Sequence, residues 1–467
     1  MSQHADPATS ADAQQPRVIG PVGGLAIVVG SMLGIGIFLT PPQVATHLPS
    51  VSGYLLVWLV GGLIAFCGSV AYAELGTRFP QAGGDYVFLG EAFGESVSFA
   101  AGWLLFVGVF TGSVATMAVP LAEFQLPVLL APVVDLDPGR ILWSAGPIEL
   151  TVARAIGIGL LAGLTGLNVL GTRLSTRAQI ALTAVPVVVL AVGAVVIFAT
   201  SSAAPAAAFE AGAQSSPVVG FGRAVLAVYF AYAGWNAIAY VGGELKEPGS
   251  TVPVSLLGGT ALITVLYLLL AGCFIFVLGV EGVQGAIEAG TATAEAAGGP
   301  KTAYAVTALI AVALVGSLNA TILAGGRVGW AMARRGALVA AMGRLNERFE
   351  TPDRALWLQA ALAVVLVLTG TFEILLELTS IAMLLMSALT VVALFRIRRR
   401  DGPDAPYQAT LYPWTPLIFL LISVVVIGAS IYRAVAGDDG LTLESVYPLV
   451  GLAIFAATWL AHRTWRR

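Results

Sequence analysis

The sequence has little charge. Asp, Glu, Lys and Arg together make up 10% of its 467 residues, whereas soluble proteins carry roughly 25%. A soluble chain of this length could not cover its surface with so few charged groups, so most of the surface must face lipid. The net charge is −3, and no basic block suggests a nucleic-acid partner.

Cysteine and histidine are also scarce. Cys67 and Cys273 lie inside apolar runs and form neither a disulfide framework nor a metal-ligand spacing. His4, His47 and His462 lie near span ends or termini and do not cluster. The motifs HExxH, GxSxG and CxxC are missing, so a membrane enzyme is poorly supported. We therefore expect no catalytic residues, no metal and no cofactor.

Long apolar runs are what the sequence does contain. A membrane helix needs about 20 apolar residues, and the sequence predicts twelve such spans. They are 19–46, 52–76, 95–124, 152–171, 178–199, 220–244, 253–279, 303–333, 355–371, 373–396, 414–434 and 446–462. Residues 1–16 are polar and lack the basic start and apolar run of a secretory leader. They are predicted to form a disordered cytoplasmic tail.

The distribution of loop charge predicts the orientation in the membrane. With the N-terminus inside, 18 of the 23 Lys and Arg residues fall on the cytoplasmic side. Those on the opposite side are Arg140, Arg154, Arg223, Lys301 and Arg433. Because cytoplasmic loops carry the excess of Lys and Arg, we expect a multi-pass protein of the cell membrane with both termini in the cytoplasm.

The first span is interrupted by glycines. Gly34 and Gly36 stand two residues apart in mid-span, and Pro41-Pro42 follow. Glycine weakens a helix, and a break inside lipid frees backbone groups that need partners. The N–H groups at the start of the second half-helix would suit a carboxylate. Taken alone, the glycines could equally serve close helix packing.

The sixth span contains a second interruption. Phe230-Ala231-Tyr232-Ala233-Gly234-Trp235-Asn236 places a polar, glycine-containing patch in an apolar run five spans after the first. Corresponding breaks in two halves indicate inverted repeats with a binding site between them. A carboxylate at one set of N–H groups and an ammonium at freed carbonyls describe an amino acid. The sequence therefore favours a secondary transporter.

Ionisable residues are rare within the spans. Glu74 and Glu244 lie at cytoplasmic span ends, where we expect them to pair with arginines, and Glu373 and Glu377 lie near the outer start of span ten. The lack of mid-span acids argues against a cationic substrate and against a channel with an acidic ring. The remaining polar residues would either orient a neutral solute or bond helices together: Ser113, Asn168, Asn236, Ser317, Asn319 and Thr321.

Several motifs together resemble the amino acid–polyamine–organocation superfamily, and most closely its L-type amino acid transporters and their bacterial relatives. The motifs are Gly34-Ile35-Gly36-Ile37-Phe38, Tyr72 to Tyr86, Phe230 to Pro248, Gly316-Ser317-Leu318-Asn319 with Gly326-Arg327 and Ala331 to Arg334, and Pro406-Tyr407 with Leu411-Tyr412-Pro413. The resemblance covers nearly the whole chain beyond residue 17.

The resemblance implies an all-α integral membrane protein with a LeuT-like fold. A tail, 1–17, would precede a five-helix repeat, 18–200, an inverted repeat, 218–397, and two further helices, 412–463. The implied function is alternating-access transport of neutral L-amino acids, by exchange or facilitated transport rather than proton symport. The alternatives are an amine or polyamine carrier of the same superfamily and a receptor that binds an amino acid without moving it.

The resemblance also implies a binding site. The substrate carboxylate would meet N–H groups of the first break, the ammonium would meet carbonyls of both breaks, and two aromatic residues would gate the outer side. The residues so implied are Met32, Ile35, Gly36, Ile37, Ser113, Phe230, Tyr232, Ala233, Asn236 and Thr321.

Two positions and one loop depart from the family pattern. Pro186 stands where many members carry a lysine tied to coupling, and Ile35 stands where a serine is common. The loop 125–151 has no cysteine, which animal relatives use to join a heavy chain. We therefore expect no disulfide-linked heavy chain, and a self-sufficient monomer or homodimer within the lipid bilayer.

Overall fold

The computed structural model describes residues 15–134, 136–145, 148–200, 217–369, 372–436, 453 and 455–464. Helices dominate these residues. They are α1 (Pro21–Met32), α2 (Gly36–Leu39), α3 (Pro41–His47), α4 (Val51–Arg78), α5 (Asp85–Phe93), α6 (Glu95–Leu130), α7 (Val152–Val169), α8 (Thr172–Thr200), α9 (Pro217–Ala231), α10 (Ala237–Tyr240), α11 (Pro248–Gly285), α12 (Ala289–Gly298), α13 (Pro300–Arg334), α14 (Asp353–Thr369), α15 (Phe372–Asp401) and α16 (Trp414–Ala436).

One feature outside the all-α prediction is a short hairpin between α6 and α7. Ile141–Ala145 (β1) pairs antiparallel with Ile148–Thr151 (β2). The side chains of β1 are exposed. The hairpin therefore lies at the surface and does not contribute to the helical core.

Seven helical segments in the described part of the chain are long and apolar enough to cross a membrane. They are Pro21–Leu39, Val51–Arg78, Glu95–Leu130, Val152–Val169, Thr172–Thr200, Pro248–Gly285 and Pro300–Arg334. Gly220–Ala231 and Trp414–Gly428 are shorter apolar helices. The protein is thus a helical, multi-pass membrane protein. The count of twelve spans stays a prediction, and most of the predicted last span, 446–462, lies outside the described residues.

Two long helices deviate from regular α geometry. Helix α6 contains wide turns at Leu104–Thr111 and Leu121–Gln125, in which the hydrogen bonds skip five residues rather than four. The Thr111 hydroxyl donates to the carbonyl of Phe106 at 2.7 Å. Such π-type turns are frequent at functional sites because they redirect side chains. Helix α11 changes direction at Gly279, whose φ of +68° suits glycine.

The two predicted breaks are present, and they touch each other. Helix α1 ends at Met32 and α2 begins at Gly36, while α9 ends at Ala231 and α10 begins at Ala237. A Cβ atom on Gly36 would lie 2.4 Å from the Cα atom of Ala231. Two backbones therefore meet at a distance that only glycine allows.

A second contact joins the same two breaks. Gly234 has a φ of +95°, and a Cβ atom there would lie 2.8 Å from the carbonyl oxygen of Ser31. Any other residue would be strained by its backbone angle and would also collide with the first break. Gly36 and Gly234 thus allow the two breaks to pack directly against each other.

One end of the molecule carries a cluster of arginines, Arg78, Arg335, Arg398 and Arg400, which we term the basic face. Glu74 is buried there and accepts hydrogen bonds from Arg78 at 2.8 Å and from Arg398 at 2.9 Å. Arg400 donates to the carbonyl of Glu91 at 2.7 Å. These contacts connect α4, α5 and α15 at the ends of the helices.

The start of the described chain is bonded to the segment that follows α10. The N–H groups of Val18 and Ile19 both donate to the carbonyl of Glu244 at 2.9 Å, and the N–H of Lys246 donates to the carbonyl of Ile19 at 2.8 Å. We call residues 18–19 with 244–246 the strap. The strap connects the entry of the first broken helix to the exit of the second.

Next to the strap lies a buried ion pair. The guanidinium of Arg327 on α13 contacts the carboxylate of Glu244 at 2.9 Å, and both side chains are 0% exposed. Thr172, at the start of α8, donates to the same carboxylate and accepts from Arg327. Both span-end glutamates of the sequence analysis, Glu74 and Glu244, are therefore paired with arginines.

Candidate functional site

A cavity lies between the two helix breaks. The volume of this cavity is about 70 Å³ in the conformation described here. Residues of α1, α2, α5, α6, α9, α10, α13 and α15 line it. Eight of the ten residues implied by the resemblance are among them: Met32, Ile35, Gly36, Ser113, Phe230, Ala233, Asn236 and Thr321.

The other two implied residues lie elsewhere. Ile37 is fully buried in the core behind the cavity. Tyr232 is also buried, and its hydroxyl donates to the carbonyl of Trp58 at 3.0 Å. Its ring packs against those of Trp58 and Tyr267. Neither residue lines the cavity in this conformation.

The first break presents N–H groups without backbone partners. The N–H of Gly34 donates to the carbonyl of Met32 at 2.7 Å, but no backbone carbonyl of a described residue accepts from Ile35, Gly36 or Ile37. Thr40 keeps a right-handed helical conformation, so α2 runs on into α3. The free N–H groups therefore stand at the positive end of a continuous helical stretch.

The second break presents a free carbonyl. The N–H of Ala233 donates to Phe230 and the N–H of Ala237 donates to Gly234, each at 3.0 Å. The carbonyl of Ala233 accepts no hydrogen bond within the described residues. A hydrogen-bond donor in the cavity could therefore bind there.

Tyr267 on α11 contacts both breaks from behind. Its hydroxyl lies 2.5 Å from the carbonyl oxygen of Met32 and 3.1 Å from that of Ala231. These carbonyls belong to the last turns of α1 and α9. Tyr267 was not among the predicted site residues, because it lies in an apolar span with no break or polar motif around it.

Hydroxyl groups line one wall of the cavity. Ser317 on α13 donates to the carbonyl of Ser31 at 3.1 Å, and Thr321 donates to the carbonyl of Ser317 at 2.8 Å. The Oγ atom of Ser31 is buried without a partner among the described residues. Ser113 on α6 faces the sulfur of Met383 at 4.0 Å. The wall thus offers hydroxyl donors and a thioether to a ligand side chain.

A carboxyl group lies at one end of the cavity. Asp85, the first residue of α5, is fully buried and lines the cavity. Its Oδ2 atom accepts from the hydroxyl of Tyr240 at 2.6 Å, and Tyr240 in turn accepts from the amide of Asn236 at 3.1 Å. Asp85 belongs to the segment after the second span, so the scarcity of acids within the spans did not predict it. The GGDY motif around it was the available signal.

Asn168 and Asn319 lie outside the cavity. Asn168 donates to Asn319 at 2.8 Å, and Asn319 donates to Gln179 at 2.8 Å. Thr183 on the same helix as Gln179 donates to the carbonyl of Ala26 on α1 at 3.1 Å. These polar residues bond α7, α8, α13 and α1 together, in agreement with the helix-bonding interpretation.

Comparison with known proteins identifies the family. The sequence profile described as "Amino acid permease" matches residues 19–455, most of the chain. The chain belongs to the amino acid permease family. The resemblance to the amino acid–polyamine–organocation superfamily is thereby confirmed.

Curated relatives of this permease are named as transporters of amino acids. It is 28% identical over 320 residues to "Serine/threonine exchanger SteT" of Bacillus subtilis, a match that covers 68% of each chain. It is 27% identical over 349 residues to the human "b(0,+)-type amino acid transporter 1", covering 71% of this chain and 66% of the relative. The mouse "Asc-type amino acid transporter 1" is 30% identical over 258 residues, 54% of this chain and 46% of the relative. The match to the mouse b(0,+)-type transporter covers 64% of that protein, so less than two thirds of its length is represented.

Proposed function

We propose that this permease exchanges neutral L-amino acids across the cell membrane by alternating access. One observation carries the proposal: both helix breaks open onto a single cavity. Paired breaks in two halves of a transporter mark the substrate site, because their freed backbone groups can bind a polar solute inside the membrane.

The two breaks offer complementary groups for an amino acid. The N–H groups of Ile35, Gly36 and Ile37 would bind the substrate carboxylate. The carbonyls of Met32 and Ala233 would bind the ammonium, with Phe230 beside them. Because the carbonyl of Met32 already accepts from Tyr267, it would use its second lone pair for the substrate.

The walls favour neutral substrate side chains. Ser31, Ser113 and Thr321 offer hydroxyl groups, while Met383 and Met386 on α15 offer apolar surface. A site that combines a few hydroxyls with thioether surface accepts small polar and apolar side chains. The relative named a serine/threonine exchanger supports both this substrate class and exchange.

The remaining architecture is part of the same proposal. The basic face would lie in the cytoplasm, together with both termini. The repeats 18–200 and 218–397 would form a LeuT-like core, and residues 412–463 would complete twelve spans. Cys67 and Cys273 are buried, and loop 125–151 lacks cysteine. We therefore infer a monomer or homodimer without a disulfide-linked heavy chain.

One observation favours a second candidate, an amine or polyamine carrier. Asp85 lines the cavity, and a carboxylate could bind a substrate cation. The free N–H groups at Ile35 to Ile37 argue against this candidate, because an amine without a carboxylate would leave them unpaired.

Exchange assays in proteoliposomes test the proposal. The purified protein is reconstituted in vesicles that contain unlabelled serine, alanine or leucine, and uptake of the labelled amino acid is measured. Matched vesicles contain buffer alone or putrescine. We expect fast uptake only when a neutral amino acid is inside the vesicles. Uptake of labelled putrescine without uptake of any neutral amino acid would establish the amine carrier instead.

A further inference from the structure

Asp85 is a buried acid that the proposed amino acid site does not use. It is 0% exposed, and it lines the end of the cavity towards α5. The two glycines before it, Gly83 and Gly84, have φ values of +120° and +50°. A Cβ atom on Gly84 would lie 2.5 Å from the ring of Tyr240. The chain therefore uses glycine to bring this carboxyl group against the second broken helix.

The carboxyl group has one satisfied oxygen and one free oxygen. Oδ2 accepts from Tyr240 at 2.6 Å, whereas Oδ1 has no hydrogen-bond partner in the described part of the protein. The hydroxyls of Tyr72 on α4 and Thr390 on α15 face the same group. They too are buried and unpartnered. The carboxyl group thus keeps one unpaired oxygen and faces two unpaired hydroxyls.

No cation neutralises Asp85 within the described residues, and none of their salt bridges includes it. The titratable groups that face it are Tyr72, Tyr229 and Tyr240, from α4, α9 and α10.

The charged groups on elements packed against α5 contact other partners. Arg335 contacts Tyr86 and Glu91, Arg396 lies over Phe93, Arg400 bonds to Asp401, and Glu95 is exposed.

The backbone does not stabilise a charged Asp85 either. The N–H groups of Tyr86, Val87 and Phe88, at the start of α5, donate to the carbonyls of Gly83 and Gly84. A buried carboxylate without a cation or N–H donors is costly, and the group binds a proton instead. Burial raises the pKa of the Asp85 carboxyl group.

We propose that Asp85 is a proton-binding site of this permease, and that its protonation holds the second broken helix in the conformation described here. In the protonated form Oδ2 accepts from Tyr240 and Oδ1 carries the proton towards Tyr72 and Thr390. Loss of that proton to solvent leaves a negative charge in a buried site. This charge favours a conformation in which water reaches the end of the cavity and the Tyr240–Asn236 contact is released.

Asp85 bears on how transport is coupled to protons. Pro186 stands where relatives carry the span-five lysine, and the spans alone offered no titratable group. Asp85 supplies one from outside the spans, in hydrogen-bond contact with the substrate-site residue Asn236 through Tyr240. Its effect on transport rests on the proposed exchange function, whereas proton binding itself does not.

The test compares Asp85→Asn with the intact protein. Serine exchange is measured in proteoliposomes from acidic to alkaline pH, with the same pH on both sides. For the intact protein we expect the rate to fall by up to ~tenfold per pH unit above the midpoint, as for one titrating group. Asp85→Asn, which is permanently neutral, should exchange serine at a rate independent of pH. Glu91→Gln, on the same helix but at the surface, is the matched control and should keep the intact profile.

A second measurement is independent of transport. Infrared difference spectra of the reconstituted protein report the carbonyl stretch of a protonated carboxylic acid, and the Asp85→Asn variant should lack the band that titrates in the intact protein. If no amino acid is exchanged, this band still decides whether Asp85 binds the proton. An unchanged band, or an unchanged pH profile in Asp85→Asn, would overturn the proposal.

Tyr240→Phe is the variant to use if Asp85→Asn does not fold. It removes the hydrogen bond to Oδ2 and retains the carboxyl group. Because that bond stabilises the charged form, its loss should shift the midpoint of the infrared titration to higher pH. A midpoint equal to that of the intact protein would contradict the proposed site.

Discussion

The hydroxyl of Tyr267 lies 2.5 Å from the carbonyl oxygen of Met32. The same hydroxyl lies 3.1 Å from the carbonyl oxygen of Ala231. One side chain on α11 therefore contacts the end of both interrupted helices, and it is fully buried where it does so.

Replacing Tyr267 with Phe should weaken substrate binding. The ring would remain packed against Trp58 and Tyr232, but two carbonyls would lose their shared donor. A hydrogen bond contributes about 0.5–1.5 kcal/mol, so we expect the KM for exchange to rise about two- to tenfold. Tyr304→Phe is the control, because Tyr304 donates to the carbonyl of Leu129 at 2.8 Å on the exposed surface. Equal KM values for the two variants would contradict a role of Tyr267 at the breaks.

Gly36→Ala should impair exchange severely. Its Cβ atom would lie 2.4 Å from the Cα atom of Ala231, so the two backbones would have to separate. Displacement of binding groups by about 1 Å can cost on the order of a hundredfold in rate, and we expect a loss of that size. In Gly193→Ala, the matched control on α8, the new Cβ atom meets open space, and exchange should be retained. Normal exchange by Gly36→Ala would show that the breaks need not touch.

Glu244→Gln should destabilise the protein strongly. The substitution leaves the buried guanidinium of Arg327 without its counter-charge, and breaking a buried pair costs about 3–5 kcal/mol. The surface pair Arg335–Glu91, whose side chains are 36% and 35% exposed, serves as the comparison. Removal of Glu91 should cost less than ~1 kcal/mol. Thermal unfolding in detergent measures both, and equal melting temperatures for Glu244→Gln and Glu91→Gln would contradict the expectation.

The stability of the protein should depend on pH through Asp85. Burial raises the pKa of this carboxyl group above its unfolded value. The folded state therefore binds the proton more tightly than the unfolded chain does. The resulting stabilisation is complete below the unfolded pKa and is lost as pH rises through the folded pKa.

In Asp85→Asn this pH-dependent loss should be missing. The variant should gain stability relative to the intact protein as pH increases, whereas Glu91→Gln should follow the intact protein. Melting temperatures measured from acidic to alkaline pH check this expectation. A constant difference between Asp85→Asn and the intact protein would show that Asp85 does not titrate across that range.

The breaks could be predicted from the sequence because glycine leaves a local signal. Gly34, Gly36 and Gly234 interrupt apolar runs, and the interruptions occur in the described structure. In the half-helix after the first break, it is harder to predict which residues face the cavity. Successive helical residues point about 100° apart, so Gly36 lines the cavity while Ile37 faces the core. The N–H group of Ile37 can still serve a ligand, because the backbone stands at the end of the helix.

The local sequence around Tyr267 and Asp85 does not predict that these residues contact the breaks or the cavity. Tyr267 lies in a continuous apolar span, and only the packing of α11 against α1 and α9 brings its hydroxyl to the breaks. Asp85 follows the second span, and the turn at Gly83 and Gly84 directs it back to the cavity. Long-range contacts of this kind depend on the whole fold. The termini of helices were likewise approximate, since α8 begins at Thr172 rather than at residue 178.

The strap has a consequence for the resting balance between conformations. Three backbone hydrogen bonds join residues 18–19 to residues 244–246, and each contributes about 1 kcal/mol net. If the basic face opens by separating the two helix ends, all three bonds must break together. Their loss would disfavour the open form by about 3 kcal/mol, roughly a hundredfold in population. The strap would then oppose opening and set how often the empty permease opens towards that side.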